Sequence, residues 1–296
     1  MNVGFLGLGR MGSRMVEHLL AEKQSVVVYN RSIGPTQWLS KKGAIPTFSL
    51  EEFVTAQPKP RTIWLMINAA AVDMVLAQLL PLLSKGDIVL DGGNSFYKDS
   101  QKHFNFLKKK GIHFMDVGTS GGLTGARNGA CLMIGGERLI YQKCIPLFRS
   151  LAVPQGYAYL GKPGAGHFAK MVHNGIEYGM MASLAEGFEA LETQRKDFGF
   201  ELADVASLYN RGTIIQSQLT HWTADLLQKN TSLSGISGSV PEGETEAVLH
   251  AYSKEHNLPV LKTAIQDRIN SRKHPSFRAK IIAALRNIFG GHKVNR

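Results

Sequence analysis

The chain has 296 residues, 44% of them apolar and 19% charged, with a formal net charge of +11. That balance excludes a disordered chain, and two cysteines, Cys131 and Cys144, give neither a disulfide framework nor metal-ligand spacing. No apolar run reaches the ~18 residues of a membrane span and no charged leader precedes an apolar segment, so a cytoplasmic, membrane-free, two-domain protein is expected. The positive charge suits nucleic acid, a membrane surface or phosphorylated small molecules, and the sum alone does not choose among them. Nucleic acid is not expected, because no aromatic-interleaved basic motif accompanies the charge.

Residues 1–6 (MNVGFL) read as a short buried strand that runs into Gly7-Leu8-Gly9-Arg10-Met11-Gly12, followed by a helical pattern through Leu20. Strand, GxGxxG and helix in succession form a dinucleotide site. The first glycine makes the tight turn, the second admits a pyrophosphate, and the third lets helix and strand pack closely. The amides at the helix start then face the phosphates. A second strand, Ser25–Tyr29, ends in Asn30-Arg31-Ser32, where a NAD site commonly carries an acid for the ribose hydroxyls. Arg31 with its polar neighbours suits a 2′-phosphate instead, which favours NADP, with NAD as the alternative.

Further strands are expected at Thr62–Ile67, Asp87–Leu90, Ile112–Val117, Cys131–Ile134 and Tyr157–Leu160, with helices between them such as Val72–Leu83. This β–α alternation predicts a Rossmann-type, doubly wound, mostly parallel sheet in an α/β domain. Nucleotides bind such sheets at the carboxyl ends of the strands, so Met66, Ile67 and Asn68 are candidate cofactor contacts. Two more glycine-rich loops fall at that edge, Asp91-Gly92-Gly93-Asn94-Ser95 and Gly118-Thr119-Ser120-Gly121-Gly122. The basic stretch Lys98–Lys110 reads as a solvated helix face. Pro163-Gly164 ends the alternation, which divides the chain into a dinucleotide-binding domain at 1–163 and an all-helical substrate and oligomerisation domain at 164–296.

The stretch Gly164–Gly179 opens that second domain, and no proline follows Pro163 until Pro241, so a long helix is expected. At ~100° per residue, His173, Asn174, Glu177 and Tyr178 lie within ~80° of Lys170, all on one face. Phe168, Met171, Val172, Ile176 and Met180 occupy the other. Such a helix either turns a polar face to solvent or lines a pocket with a base, an acid and hydrogen-bonding groups already in place. The cation-rich tail, including Arg268 and Arg286, is either surface or a source of phosphate ligands.

Taken together, GLGRMG (7–12), NRS (30–32), DGGNS (91–95), GTSGG (118–122), GAGHFAKMVHNGIEYG (164–179), DRINSR with Arg268, and LRNIFGGH (285–292) resemble the 6-phosphogluconate dehydrogenase family in its short form. The resemblance implies oxidative decarboxylation of 6-phosphogluconate to ribulose 5-phosphate and carbon dioxide, with reduction of NADP, in the pentose phosphate pathway and gluconate utilization. Lys170 would be the general base and Glu177 the acid that protonates the enediol. Asn94, Ser120, Gly121, Gly122, His173 and Asn174 would hold the sugar, with Asn94 also at the cofactor, while Tyr178 and Arg268 would hold the phosphate. Arg286 and His292 resemble tail residues that reach a neighbouring subunit's site, which implies a homodimer or homotetramer. The related 3-hydroxyacid dehydrogenases, without decarboxylation, are the alternative; they share a catalytic lysine but not the HNGIEY run.

Two departures stand out: Ser32 replaces a threonine, and residues 232–244 lack a Gly-Lys-Trp-Thr run that supplies a phosphate contact. No metal is expected, because a β-keto acid loses carbon dioxide once an ammonium polarises its carbonyl, and no HExxH run is present. The chemistry requires Lys170 to be lowered from ~10.4 towards ~7–8 and Glu177 to be raised by burial.

Overall fold

The computed structural model describes residues 2–243 and 245–294. The chain divides into two compact units, Met1–Val172 and His173–Arg296. Met1, included in the expected first strand, lies outside the described residues, as does Glu244 of the 232–244 loop.

In the first unit the order is β1 (Asn2–Leu6), α1 (Arg10–Ala21), β2 (Ser25–Tyr29), α2 (Ile33–Ser40), β3 (Ile45–Pro46), α3 (Leu50–Thr55) and β4 (Thr62–Leu65). It continues with α4 (Val72–Leu79), β5 (Ile88–Asp91), α5 (Tyr97–Lys108), β6 (His113–Ser120), α6 (Gly122–Asn128), β7 (Ala130–Gly135), α7 (Arg138–Leu151) and β8 (Ala152–Gly161). Among the described residues these strands form one eight-stranded sheet, in the order β3-β2-β1-β4-β5-β6-β7-β8. All pairings are parallel except β6 with β7. This is the predicted Rossmann-type architecture.

The period of two along a strand explains how both faces are covered. Val3, Phe5, Val26, Val28 and Trp64 join Met15, Val16, Leu147 and Phe148 of α1 and α7 in one core layer. Their neighbours Leu6, Val27, Ile63 and Leu65 join Phe53, Val72, Leu76 and Leu107 of α3, α4 and α5 in the other. Strands buried on both sides need continuous apolar runs, which is why β1, β4 and β5 were legible.

Three strand expectations need correction. The two-residue β3 has no periodicity to detect. Strand β6 runs through Ser120, so Gly118, Thr119 and Ser120 belong to a strand rather than a loop. The antiparallel partner β7 pairs Gly118 with Met133 and Ser120 with Cys131, and these ladder bonds carry the strand past its apolar core. Gly121 and Gly122, at φ +114° and +60°, turn the chain into α6. Strand β8 starts at Ala152, not Tyr157, and meets β7 through register shifts.

Helix α8 (Ala165–Phe198) is a single element of 34 residues that starts in the first unit and continues into the second. The helices α9 (Leu202–Tyr209), α10 (Gln218–Lys229), α11 (Glu246–Glu255), α12 (Pro259–Ser271) and α13 (Phe277–Gly290) follow. Local chemistry sets their starts: Ser217 and Ser276 accept hydrogen bonds from Thr220 N and Ala279 N, and Pro259 occupies the first turn of α12. Among the described residues no strand follows Gly161, and no helix is long and apolar enough to cross a membrane. The irregular 230–243 segment is anchored by Leu233 and Val240, both fully buried.

Candidate active site

The loop between β1 and α1 is built on its own backbone. A Cβ on Gly12 would lie 2.0 Å from Gly7 O, and one on Gly7, at φ +99°, would lie 2.4 Å from Met66 O. Among the described residues nothing lies within 4 Å of such a Cβ on Gly9. Gly7 and Gly12 therefore shape the turn, and Gly9 leaves the open approach that a pyrophosphate needs. Leu8 and Met11 sit on the core side, while Arg10 is exposed beside the loop.

The Asn30 side chain is committed to this loop. Its Oδ1 accepts from Leu8 N at 2.9 Å, and its Nδ2 donates to Ser32 O and Ser32 Oγ at 3.0 and 2.8 Å. Asn30 thus shapes both segments, while Arg31 and Ser32 lie exposed beyond it. Asn68 Oδ1 accepts from Ala70 N, capping a short 3₁₀ turn after β4.

The ends of β1, β4, β5 and β6, all but the second of them glycine-rich, meet in series within the first unit. A Cβ on Gly93 would lie 2.8 Å from Ile67 O, and Thr119 Oγ1 donates to Gly92 O at 3.1 Å. Asp91 is fully buried and accepts from Ser95 Oγ at 2.6 Å and Gly93 N at 3.1 Å, which folds the loop carrying Asn94. At the far end of the series, a Cβ on Gly118 would lie 2.5 Å from Lys170 Cβ. Ser120, Gly121 and Gly122 continue from that strand, so the structure brings Lys170, the first of the expected catalytic pair, to the same sheet edge.

Helix α8 departs from the usual amphipathic arrangement, although Met171 of the apolar face is buried. Asn174 and Tyr178, from the polar face, are buried. Val172, Ile176 and Met180, from the apolar face, are 40%, 60% and 47% exposed. Lys170, His173 and Glu177 of the same face are partly exposed, so the face is neither fully solvated nor fully buried. His173 Nδ1 lies 3.3 Å from Asn174 Oδ1 and 3.9 Å from Glu177 Oε2.

The second unit buries a cationic group around Tyr178. The Arg268 guanidinium is 1% exposed and stacks on the Tyr178 ring, 3.3 Å from its centroid. Burial pushes Arg268 down to about 10, with Arg286 adding to the shift and Tyr178, Glu177 and Glu246 opposing it. It remains charged at neutral pH. Arg286 is buried nearby and lowered by the same cause, and its Nη1 donates to Pro241 O at 2.5 Å. A Cβ on Gly243 would lie 3.2 Å from the Tyr178 hydroxyl and 3.3 Å from Arg286 Nη2. Among the described residues neither arginine has a carboxylate ion-pair partner.

Arg286 itself is 4% exposed within its own helical unit. The α13 helix carries it inward, with Ile281, Ile282 and Leu285 of the same helix in the core. His292 lies beyond α13, its ring folded against Gly290 and its carbonyl accepting from Asn287 Nδ2 at 2.8 Å.

Residues 2–161 match the NAD binding domain of 6-phosphogluconate dehydrogenase, and residues 166–234 match the C-terminal domain of that enzyme. The chain belongs to the 6-phosphogluconate dehydrogenase family. It is 42% identical to Bacillus subtilis YqeC, named a candidate 6-phosphogluconate dehydrogenase, over the full length of both. It is 35% identical over 99% of a Haloferax volcanii protein named as the NAD(+)-dependent, decarboxylating enzyme. A longer Bacillus subtilis relative with that same name is 40% identical, and the chain spans 52% of it. A relative named for NADP(+) is 38% identical. Among solved structures, Plasmodium falciparum 6-phosphogluconate dehydrogenase superposes with a TM-score of 0.82 at 28% identity, covering 92% of this chain and 62% of that one. A Mycobacterium tuberculosis 3-hydroxyisobutyrate dehydrogenase shares the fold, with a TM-score of 0.73 at 18% identity.

The family is thus a family of nicotinamide-dependent dehydrogenases, and the first unit carries its dinucleotide-binding fold. Sequence reasoning missed several groups around these residues. Asp116, a lone acid in the apolar strand HFMDVG, carried a detectable signal: a charge on a doubly buried strand needs a partner. The pairing of Arg272 with the buried Glu246 carried none, because 26 residues separate them.

Proposed function

We propose that this chain is an NADP-dependent 6-phosphogluconate dehydrogenase that decarboxylates its substrate, with the dinucleotide bound in domain 1–163 and the sugar phosphate held largely by domain 164–296. The observation that carries the reading is Arg268. A buried guanidinium with no carboxylate ion pair among the described residues is costly unless an anion completes it, and Arg268, Arg286 and the Tyr178 hydroxyl together suit a terminal phosphate. The names of the full-length relatives support the same activity.

The open approach at Gly9 and the glycine turn at Gly7 and Gly12 fit the pyrophosphate, and exposed Arg31 would hold the 2′-phosphate. When bound, the nicotinamide supplies the hydride acceptor. Lys170, as a neutral amine, would remove the proton from the 3-hydroxyl as carbon 3 loses its hydride. The resulting ammonium would donate to the 3-keto oxygen, withdrawing electrons as the carbon 1 carboxylate leaves as carbon dioxide. Glu177, seven residues and about two turns further along α8, would then protonate the substrate's former carbon 2, which is carbon 1 of the enediol. Asn94, Ser120, Gly121, Gly122, His173 and Asn174 would orient the hydroxyls and carboxylate. Gly243, beside the Tyr178 hydroxyl, would supply an amide in place of the missing Gly-Lys-Trp-Thr contact.

The test compares 6-phosphogluconate with unphosphorylated gluconate, each labelled at carbon 1, with both nucleotides. The expected result is release of labelled carbon dioxide from the phosphorylated substrate alone, with NADP preferred. Turnover of an unphosphorylated 3-hydroxyacid without carbon dioxide release would replace this reading with the 3-hydroxyacid dehydrogenase one.

A further inference from the structure

We propose that Asp116, with Gly118, Gly135 and Gly166, forms a positioning device that fixes the start of α8 on strand β6 and thereby sets where Lys170 stands. The proposal rests on the reading of Lys170 as the base. None of the four residues is needed to touch substrate or nucleotide; they act through the lysine.

The amides of the first turn of a helix have no intrahelical acceptor. Just before α8 stands Gly164, at φ +91°, which has no side chain to cap them. The cap comes instead from another strand. Asp116 is fully buried in β6 and accepts from Gly164 N at 2.7 Å and His167 N at 2.9 Å. Two bonds from one carboxylate hold the helix start both in place and in rotation, and an ionised acceptor strengthens them.

The space for this contact is made by glycines. Gly135 faces Asp116 across the antiparallel ladder, and a Cβ there would lie 2.7 Å from both Asp116 Oδ1 and Gly166 N. A Cβ on Gly166 would lie 2.3 Å from Met133 O and 2.6 Å from Asp116 O, so the helix backbone rests directly on the strands. Gly118 lies two residues beyond Asp116 and therefore on the same face of β6. A Cβ there would meet Lys170 Cβ at 2.5 Å and Gly166 O at 2.8 Å. Ser120 follows on that face after two more residues. One strand thus carries, at regular spacing, the carboxylate that anchors the helix, the bare backbone that takes the lysine stem, and a hydroxyl at its end.

An ordinary helix cap would contribute stability alone. A positioning device predicts something more: disturbing it leaves a folded protein that binds nucleotide but transfers hydride slowly. The test uses the full chain as wild type, Lys170→Met, Asp116→Asn and Gly118→Ala. For each, thermal stability, NADPH affinity, kcat and KM for 6-phosphogluconate are measured, with the deuterium isotope effect on kcat for substrate deuterated at carbon 3.

Lys170→Met is expected to bind NADPH and turn over no substrate. Gly118→Ala should lower kcat about 100-fold and Asp116→Asn about 10-fold, the scale expected for ångström displacements of a catalytic group. Both should keep NADPH affinity and show a larger isotope effect, because hydride transfer becomes the slow step. Wild-type kcat and isotope effect in both, with Lys170→Met inactive, would overturn the positioning role and leave the base reading standing. Wild-type turnover in Lys170→Met would overturn the base reading and this inference with it. Should Gly118→Ala fail to fold, Asp116→Asn, which preserves side-chain shape, decides alone.

Discussion

The two units hold their candidate groups by opposite means. In the first, the strand ends are placed by backbone: Gly12 against Gly7 O, Gly93 against Ile67 O, Gly118 against the Lys170 stem. In the second, large side chains are placed by burial, with Arg268 stacked on Tyr178 and Arg272 paired with Glu246. Backbone placement tolerates no added atom but needs no partner. Side-chain placement tolerates some change in shape but leaves charge that must be met by something else.

That contrast is broken most severely at Arg268. Arg268→Met removes a buried cation without removing bulk, so 6-phosphogluconate should bind about 100-fold more weakly, while the unliganded protein should melt no lower than wild type. Calorimetry with substrate and a thermal melt check the pair of outcomes. A melting temperature that falls sharply would mean that Arg268 is structural and already neutralised.

Glycine positions in the first unit give the next effect. Gly12→Ala should cost about 2 kcal/mol or more of stability, because its Cβ meets a backbone carbonyl that cannot move aside. Gly9→Ala, with open space around it, should leave the melt unchanged and weaken nucleotide binding about tenfold. Equal melts for the two variants would show that the loop adapts.

Arg31→Asp sharpens the cofactor reading. Losing a charge-assisted contact to the 2′-phosphate should shift the NADP-to-NAD ratio of kcat/KM by about tenfold towards NAD, and an unchanged ratio would place that recognition elsewhere.

The smallest effect concerns the cysteines. Burial pushes the Cys144 thiol from 9.0 up to about 12, whereas Cys131 is exposed. The folded chain should therefore show one reactive thiol at pH 8. Because the folded value lies above the unfolded one, stability is undiminished below about 9 and is lost as pH rises towards 12. Cys144→Ala should flatten that alkaline loss in a pH series of denaturation midpoints.

Much of the site was legible because glycine requirements are local. Gly7, Gly9 and Gly12 are readable from strand, turn and helix in succession, without knowledge of any distant contact. That a long helix follows Pro163 was equally readable, since proline is absent from 164 to 240, but its end at Phe198 was not. Which way that helix faces was not: periodicity groups Lys170, Asn174 and Glu177 but is silent on whether the group is buried. Strand β6 was cut short at Val117 because its last residues gain their strand character from β7.

By itself, the order of residues determined the alternating elements, the dinucleotide loop and the grouping of polar side chains on one helical face. These depend on backbone geometry and spacing within a few turns of chain. Tertiary structure alone decided that Asp116 caps a helix 48 residues away, that Arg286 lies with Tyr178 in one buried group, and that Val172, Ile176 and Met180 of α8 lie exposed. Each depends on which surfaces lose water together, and that is a property of the packed chain rather than of any segment in it.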